Sequence, residues 1–352
     1  MDKHDHSRDE HFMRRALSLA LNGMGYVSPN PIVGCVITAG NDIIGEGWHM
    51  QFGGPHAEVN AIASVKNKHL LAESTLYVTL EPCNHHGKTP PCADLILKSG
   101  IKKVVVCNID PNPKVDGSGI KRLRDAGVEV ITGILDKTGR EFNQRFFTSI
   151  EKNRPYVILK WAETSDGFIA RENYDSKWIS NEYSRQMVHK WRAEEDAILV
   201  GAKTAFHDDP QLNVRKWAGS NPVRVVIDRF LKLNENLKIF DRSQPTLCYN
   251  VLRHEEHSNL TRVRVDEERF LESVLRDLNQ RGIQSVIVEG GSFTLDRFIQ
   301  GNLWDDIRVF RSGRTFGKGI AAPVFNGTLV HSEDVHGDTL SRYRPLKNSP
   351  AT

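Results

Sequence analysis

The sequence predicts an α/β protein of two domains, on three observations. Short apolar runs alternate with amphipathic stretches along most of the chain, the pattern of strands alternating with helices. The 352 residues are enough for two hydrophobic cores, since a domain takes roughly 100–200 residues. Asn153-Arg154-Pro155 breaks a charged helical stretch, which places the boundary between residues 1–153 and 154–352.

In the first domain, Ser7-Arg8-Asp9-Glu10 has the form of a capping box. Phe12, Met13, Ala16, Leu17 and Ala20 follow at helical spacing. The runs Ile32–Ile37 and up to Trp48, with Gly40-Asn41-Asp42 between them, read as a hairpin. A helix is expected over 55–65 and a strand over 76–80. The helix over 90–99 has prolines in its first turn and Gly100 just past its end. Strand 103–107, helix 119–126, strand 128–132 and the helical stretch 136–152 complete this half. In the second domain, strands are expected at 156–160, 197–201, 223–228, 285–289 and 305–310, and helices at 181–194 and 267–281. The polar tail after about residue 330 is expected to be poorly ordered.

Composition narrows the function classes. Hydrophobic residues make up 39% and charged residues 26%, which is ordinary for a folded soluble protein. No apolar run approaches the ~18 residues of a membrane helix, and the opening MDKHDHSRDEHF has no apolar signal core, so a cytoplasmic protein is expected. A net charge of +3 argues against a dedicated nucleic-acid binder. Five cysteines with no secretion signal point to metal binding or burial rather than a disulfide framework. Cys35, Cys107 and Cys248 lie in apolar runs and read as buried small hydrophobes.

The other two cysteines belong to a chemical constellation. Pro55-His56-Ala57-Glu58 opens a helix, Glu81-Pro82-Cys83 ends a strand, and Pro90-Pro91-Cys92 opens the next helix. One imidazole and two thiolates make a three-ligand zinc set with the fourth tetrahedral position open. Glu58 is two residues from His56, within reach of a water on that metal. The H-x-E half matches the zinc-deaminase signature; the P-C-x-x-C half does not, because eight residues separate Cys83 from Cys92. Either half alone reads more readily as a helix-start histidine or buried cysteines.

The intervening text changes the balance. Glu81-Pro82-Cys83-Asn84-His85-His86-Gly87-Lys88-Thr89-Pro90-Pro91-Cys92, with Pro29-Asn30-Pro31, Gly45-x-Gly47-x-His49 and Asp110-Pro111-Asn112-Pro113, resembles the bifunctional riboflavin-biosynthesis deaminase–reductases. The second half is similar as well, in Lys160-Trp161-Ala162-x-Thr164-Ser165-Asp166-Gly167, Ser176-Lys177-Trp178, Asp208-Asp209-Pro210 and Glu289-Gly290-Gly291. The resemblance implies a cytidine-deaminase-like three-layer domain followed by a dihydrofolate-reductase-like domain. It implies hydrolytic deamination of a diamino-phosphoribosylaminopyrimidine, then NADPH-dependent reduction of its ribosyl chain to ribityl. By the same likeness His56, Cys83 and Cys92 hold one Zn2+ per chain and Glu58 is the proton shuttle, while Asn30, His49 and Lys88 contact substrate. Ala162, Trp178, Thr204, Asp208 and the run Gly291, Ser292, Phe293, Thr294, Leu295, Asp296 and Arg297 hold NADPH. Ser176, Arg192, Leu212, Arg215 and Glu289 hold the substrate, and Lys160 and Asp208 are candidates there for assisting with protons or ribose hydroxyls. The partner implied is a small phosphoribosyl-pyrimidine, with no nucleic acid and no membrane, and a homo-oligomer (dimer or tetramer) is expected. Two places depart from the family pattern: Arg229 stands where a serine is usual, and Arg311–Gly319 is atypical.

Overall fold

The computed structural model describes residues 3–84, 90–113, 115–176 and 179–346. The chain forms two compact units, Met1–Asn153 and Arg154–Thr352.

The first unit contains strands β1 (Gly34–Ala39), β2 (Asp42–Trp48), β3 (Thr75–Leu80), β4 (Lys103–Asn108) and β5 (Glu129–Thr132). They make one sheet in the order β2-β1-β3-β4-β5, in which β1 is antiparallel to both its neighbours and β3, β4 and β5 are parallel. The helices are α1 (Lys3–Ala20), α2 (Ala57–Ser64), α3 (Cys92–Lys98), α4 (Ser118–Asp125), α5 (Asp136–Phe142) and α6 (Gln144–Lys152). Alternation along the strands builds three layers. Val36, Tyr77 and Val105 pack against Phe12, Met13 and Ala16 of α1. Cys35, Val78 and Val104 face Ala57, Ala61, Ile96 and Ile120 of the helices on the other side. Close helix–sheet approach depends on glycine: a Cβ on Gly47 would sit 2.3 Å from the backbone nitrogen of Ala61 in α2.

The second unit contains β6 (Tyr156–Glu163), β7 (Phe168–Ala170), α7 (Glu182–Glu194), β8 (Ala197–Gly201), α8 (Ala202–Asp208), β9 (Val223–Ile227), β10 (Thr246–Asn250), β11 (Glu255–His257) and β12 (Leu260–Arg264). Then come α9 (Phe270–Gln280), β13 (Ser285–Val288), α10 (Ser292–Gln300), β14 (Asp306–Arg311), β15 (Ile320–Ala321), β16 (Gly327–Val335) and β17 (Asp338–Pro345). The main sheet runs β11-β12-β10-β9-β8-β13-β6-β14-β17-β16. From β12 to β14 every pair is parallel. The chain passes outward through β8, β9, β10 and β12. It then returns through α9 to insert β13 between β8 and β6, and crosses to β14 on the far side of β6. Connections therefore diverge beside β13, and a crevice opens at the carboxyl ends of β8, β13 and β6. Val274, Leu278, Leu295 and Phe298 of α9 and α10 cover one face of this sheet, and Val188 and Trp191 of α7 help cover the other.

Four expectations need correction. Helix α1 begins at Lys3, so the capping-box residues Ser7–Glu10 lie inside it. The stretch 136–152 is two helices divided at Asn143, whose side chain accepts from Ile32 N at 2.9 Å and donates to Ile32 O at 2.8 Å. Strands β10 and β12 were not among those expected. The polar tail is ordered over its described residues, to 346: β17 pairs antiparallel with β14, β16 pairs with β17, and Val335 and Leu340 are buried. Its polarity reflects β16, which is exposed along nearly its whole length. Cys35, Cys107 and Cys248 are buried free thiols, as expected. No described helix is long and apolar enough to cross a membrane.

Candidate functional sites

In the first unit, three backbone features deliver three metal donors. His56 is the N-cap of α2, Cys83 follows the end of β3, and Cys92 is the first residue of α3. His56 Nδ1 is 3.3 Å from Cys92 Sγ and 3.6 Å from Cys83 Sγ, and all three donor atoms lie within 4.8 Å of one another. Tetrahedral zinc with ordinary Zn–N and Zn–S bonds separates nitrogen from sulfur by about 3.5 Å. The donor set fits zinc, and no fourth protein ligand joins it among the described residues. Cys92 N donates to Cys83 Sγ at 3.3 Å. The Cys92 S–H hydrogen bond and His56 together bring the Cys83 thiol down to about 4, and the Cys92 thiol rises because it keeps the shared proton. Glu58, in the first turn of α2, is 3% exposed. Burial first, and then the neighbouring Cys83, push its carboxyl up to about 7.

Asn30 and His49 stand beside this cluster. His49 Nδ1 donates to Pro55 O at 2.9 Å, which leaves Nε2 to accept from Asn30 Nδ2 at 3.1 Å. Burial lowers the His49 pKa, so this neutral form persists. Its ring meets that of His56 edge-on at 5.5 Å between centroids. Lys88 lies outside the described residues.

One residue of this site escapes sequence reasoning. Glu81 is buried, and its two carboxylate oxygens accept from the backbone N–H groups of Asp110 (3.3 Å), Gly117 (3.0 Å), Gly119 (2.9 Å) and Ile120 (3.3 Å). A carboxylate at the N-terminus of α4 satisfies donors that the helix itself leaves open. Gly119 closes the arrangement, because a Cβ there would lie 1.9 Å from Pro82 O. On the far side, Cys83 O accepts from Ala93 N at 3.2 Å. The two residues before Cys83 are thus pinned against α4, and its own carbonyl against α3. The only sequence signal was the run Asp110–Gly119 itself.

In the second unit, a cleft of about 1380 Å³ lies along the carboxyl ends of β6, β13, β8 and β9. At one end sits a largely buried charge cluster. Arg192 binds Glu289 side-on along one guanidinium edge, Nε to Oε1 at 3.1 Å and Nη2 to Oε2 at 2.9 Å, and Lys160 Nζ is 3.9 Å from Oε2. Burial pushes the Glu289 carboxyl up, but Arg192 and Lys160 outweigh it and hold it at about 2. Burial lowers the Lys160 ammonium. In the middle, Gly201, Gly290 and Gly291 border α10. A Cβ on Gly201 would be 2.3 Å from Thr294 Oγ1, and one on Gly290 would be 2.9 Å from Thr294 Cβ. Gly291 N donates to Thr204 Oγ1 at 2.8 Å. This glycine edge before a helix start suits the phosphates of a dinucleotide.

The cleft brings together Lys160, Ala162, Ser176, Arg192, Thr204, Asp208, Arg215, Glu289, Gly291, Ser292, Phe293, Thr294 and Arg297. Ser176 Oγ donates to Asp208 Oδ2 at 3.4 Å. Three expected contacts stand apart. Leu295 is fully buried in the core beneath α10, and Leu212 is 3% exposed and packs with Ala205 and Cys248, so both side chains face away from the cleft. Asp296 is not in the cleft wall and instead accepts from Ser292 Oγ at 3.1 Å. Helical geometry explains the two α10 residues: a run of seven cannot present every side chain to one side. Trp178 lies outside the described residues. His189 was missed. It lines the cleft from α7 and its Nδ1 accepts from Arg215 N at 3.3 Å, which steadies the loop that carries Arg215.

A His-Cys-Cys donor set with a buried carboxylate in one unit, and a glycine-edged nucleotide cleft in the other, define the class: a two-site enzyme joining a zinc-dependent hydrolytic centre to an oxidoreductase fold. Comparisons with known proteins agree. Residues 6–108 match the cytidine and deoxycytidylate deaminase zinc-binding region, and residues 155–342 match the RibD C-terminal domain. The riboflavin biosynthesis protein RibD of Aquifex aeolicus is 41% identical over 319 residues, 89% of each chain. That of Escherichia coli is 33% identical over 329 residues, covering 88% of this chain and 89% of that one. Among solved structures, the diaminohydroxyphosphoribosylaminopyrimidine deaminase/5-amino-6-(5-phosphoribosylamino)uracil reductase of Thermotoga maritima superposes with a TM-score of 0.89 at 41% identity, covering 97% of this chain and 99% of that one. RibD of Acinetobacter baumannii gives 0.89 at 33% identity, covering 97% of this chain and 100% of that one. The chain belongs to the RibD family.

Proposed function

We propose that this chain deaminates a diamino-phosphoribosylaminopyrimidine in its first unit and reduces the ribosyl side chain of the product with NADPH in its second. The observation that carries the proposal is the convergence of His56, Cys83 and Cys92 beside buried Glu58. His56, Cys83 and Cys92 would hold a zinc ion, which supplies a Lewis acid that acidifies water. Glu58, with its carboxyl near 7, is suited to pass one proton from the attacking water to the ring nitrogen and then a second, from the newly added hydroxyl, to the amine that leaves as ammonia. Asn30 and His49, bonded to each other, offer one polar edge that orients the pyrimidine. Lys88 would offer donors to the ribose or phosphate oxygens in this unit.

In the second unit, the glycine edge at Gly290 and Gly291, with Thr204, would seat the cofactor, which supplies the reducing equivalents. Arg192, held in place by Glu289, and Arg215, on the loop steadied by His189, present guanidinium forks to substrate oxygens. Lys160, largely buried and with its ammonium weakened by that burial, is suited to assist with the proton that the side-chain nitrogen takes up as C1 is reduced.

The test is mass analysis of the product formed from the diamino substrate by the full-length protein, with and without NADPH. Ammonia loss without NADPH, and a further gain of two hydrogens only with it, is the expected result. Deamination that stops there would leave the second unit without its assigned reaction. No change from a protein shown to carry zinc would overturn the substrate assignment.

A further inference from the structure

The end of the cleft farthest from Lys160 and Glu289 carries a feature that the proposed chemistry does not use. Strand β9 lies beside β8 and delivers Arg229 into the cleft just beyond its carboxyl end. Glu267, on the connection between β12 and α9, faces it. Arg229 Nη2 donates to the Glu267 carboxylate at 2.8 Å and to the Glu267 main-chain carbonyl at 3.3 Å. Its guanidinium carbon lies 5.6 Å from the Phe270 ring and 5.7 Å from the Phe230 ring. Its Nε is buried and meets no acceptor. Lys232, also at this end, places its ammonium 5.7 Å from the Phe230 ring.

A dinucleotide with its pyrophosphate over the Gly290–Gly291 edge and its reacting ring toward Glu289 extends its adenosine end toward β9. In the doubly wound dinucleotide folds an acid near the site binds the free ribose hydroxyl and an arginine accommodates a phosphate on it, and the same two chemistries are available here at the end of β9. Here both groups stand at one place, bonded to each other. We infer that Arg229 reads the ribose phosphate that distinguishes NADPH from NADH, and that Glu267 is an internal competitor that tempers this preference. The inference rests on the reductase reading of the cleft. The Glu267 side chain is 62% exposed, so its carboxylate can turn into water when a phosphate dianion arrives. Arg229 then keeps the main-chain carbonyl through Nη2, and its unpartnered Nε gains an acceptor. The exchange replaces one negative charge with nearly two, which favours the phosphate.

The experiment is a fluorescence titration of the full-length protein with NADPH and, separately, NADH. It compares wild type with Arg229→Ala, Arg229→Lys and Glu267→Gln, each first shown by its melting curve to be folded. Arg229→Ala is expected to weaken NADPH about tenfold or more while changing NADH less than about twofold, the loss of a charge-assisted hydrogen bond to the phosphate. Arg229→Lys retains part of the preference, and Glu267→Gln tightens NADPH severalfold with NADH unchanged. Equal effects of Arg229→Ala on both nucleotides, or none on either, overturn the inference while saturable binding upholds the reductase reading. A Glu267→Gln variant that weakens NADH also overturns it, since the acid would then be the ribose reader. If wild type binds neither nucleotide, the reductase reading falls and the inference falls with it.

Discussion

The two sites solve the problem of placement in opposite ways. The metal site is small: three donor atoms within 4.8 Å of one another, set by two helix starts and one strand end. The nucleotide site is a cleft of about 1380 Å³ whose walls come from segments spread between Lys160 and Ile320. A small buried site concentrates its energy in a few polar groups, so one misplaced atom is costly. A long cleft distributes binding over many contacts, and single losses are partial. The contrast orders the expected effects.

The largest belongs to Glu58. Glu58→Gln keeps the shape and removes the proton acceptor, so ammonia release should fall by about 10²–10⁴-fold, with zinc content and NADPH binding unchanged. Near-normal deamination would show that the proton moves by another group and that the small site is less concentrated than argued. Next is Glu81. Glu81→Ala leaves four backbone N–H groups near Cys83 without their acceptor, and supports of this kind typically contribute about 10–100-fold in metal affinity. Chelator competition should show that loss in folded protein; a lowered melting temperature with unchanged zinc affinity would reduce Glu81 to a support of the fold alone.

The smallest effect concerns the cleft and depends on pH. Glu289 titrates at about 2 against an ordinary 4.5, so its depressed value stabilises the fold fully above about 4.5 and the contribution is lost as pH falls toward 2. Glu289→Gln should lower the melting temperature at neutral pH, where Arg192 and Lys160 lose their counter-ion. The gap from wild type should narrow between pH 5 and 3. A gap that stays constant would mean Glu289 acts by packing alone.

The same contrast explains what could be seen in the sequence. His56, Glu58, Cys83 and Cys92 stood out because metal chemistry restricts residue type and local structure restricts spacing. Glu81 sat in plain view beside Cys83, yet its partners are backbone N–H groups of residues 110–120, which no residue code announces. In the second unit, the motif Glu289-Gly290-Gly291 carries the resemblance at the cleft, but that resemblance makes the run 291–297 one continuous contact, whereas α10 turns Leu295 into the core. The central strands were legible as apolar runs. Strands β16 and β17 were not, because β16 is a polar edge and only Val335 and Leu340 betray a buried side.

That hairpin also bears on how the protein is made. Strand β6 is the first element of the second unit, yet its neighbours β13 and β14 pair Tyr156 with Ser285 and Ile158 with Asp306, and β14 obtains its second neighbour only from β17. During synthesis, residues 1–153 can settle into their own sheet while the rest is still being translated. The first strand of the second unit waits through more than a hundred residues for its partners. The ribosome releases a finished second unit only after residues 338–345 have emerged, so a stalled or truncated chain displays a raw sheet edge at β14 and invites aggregation.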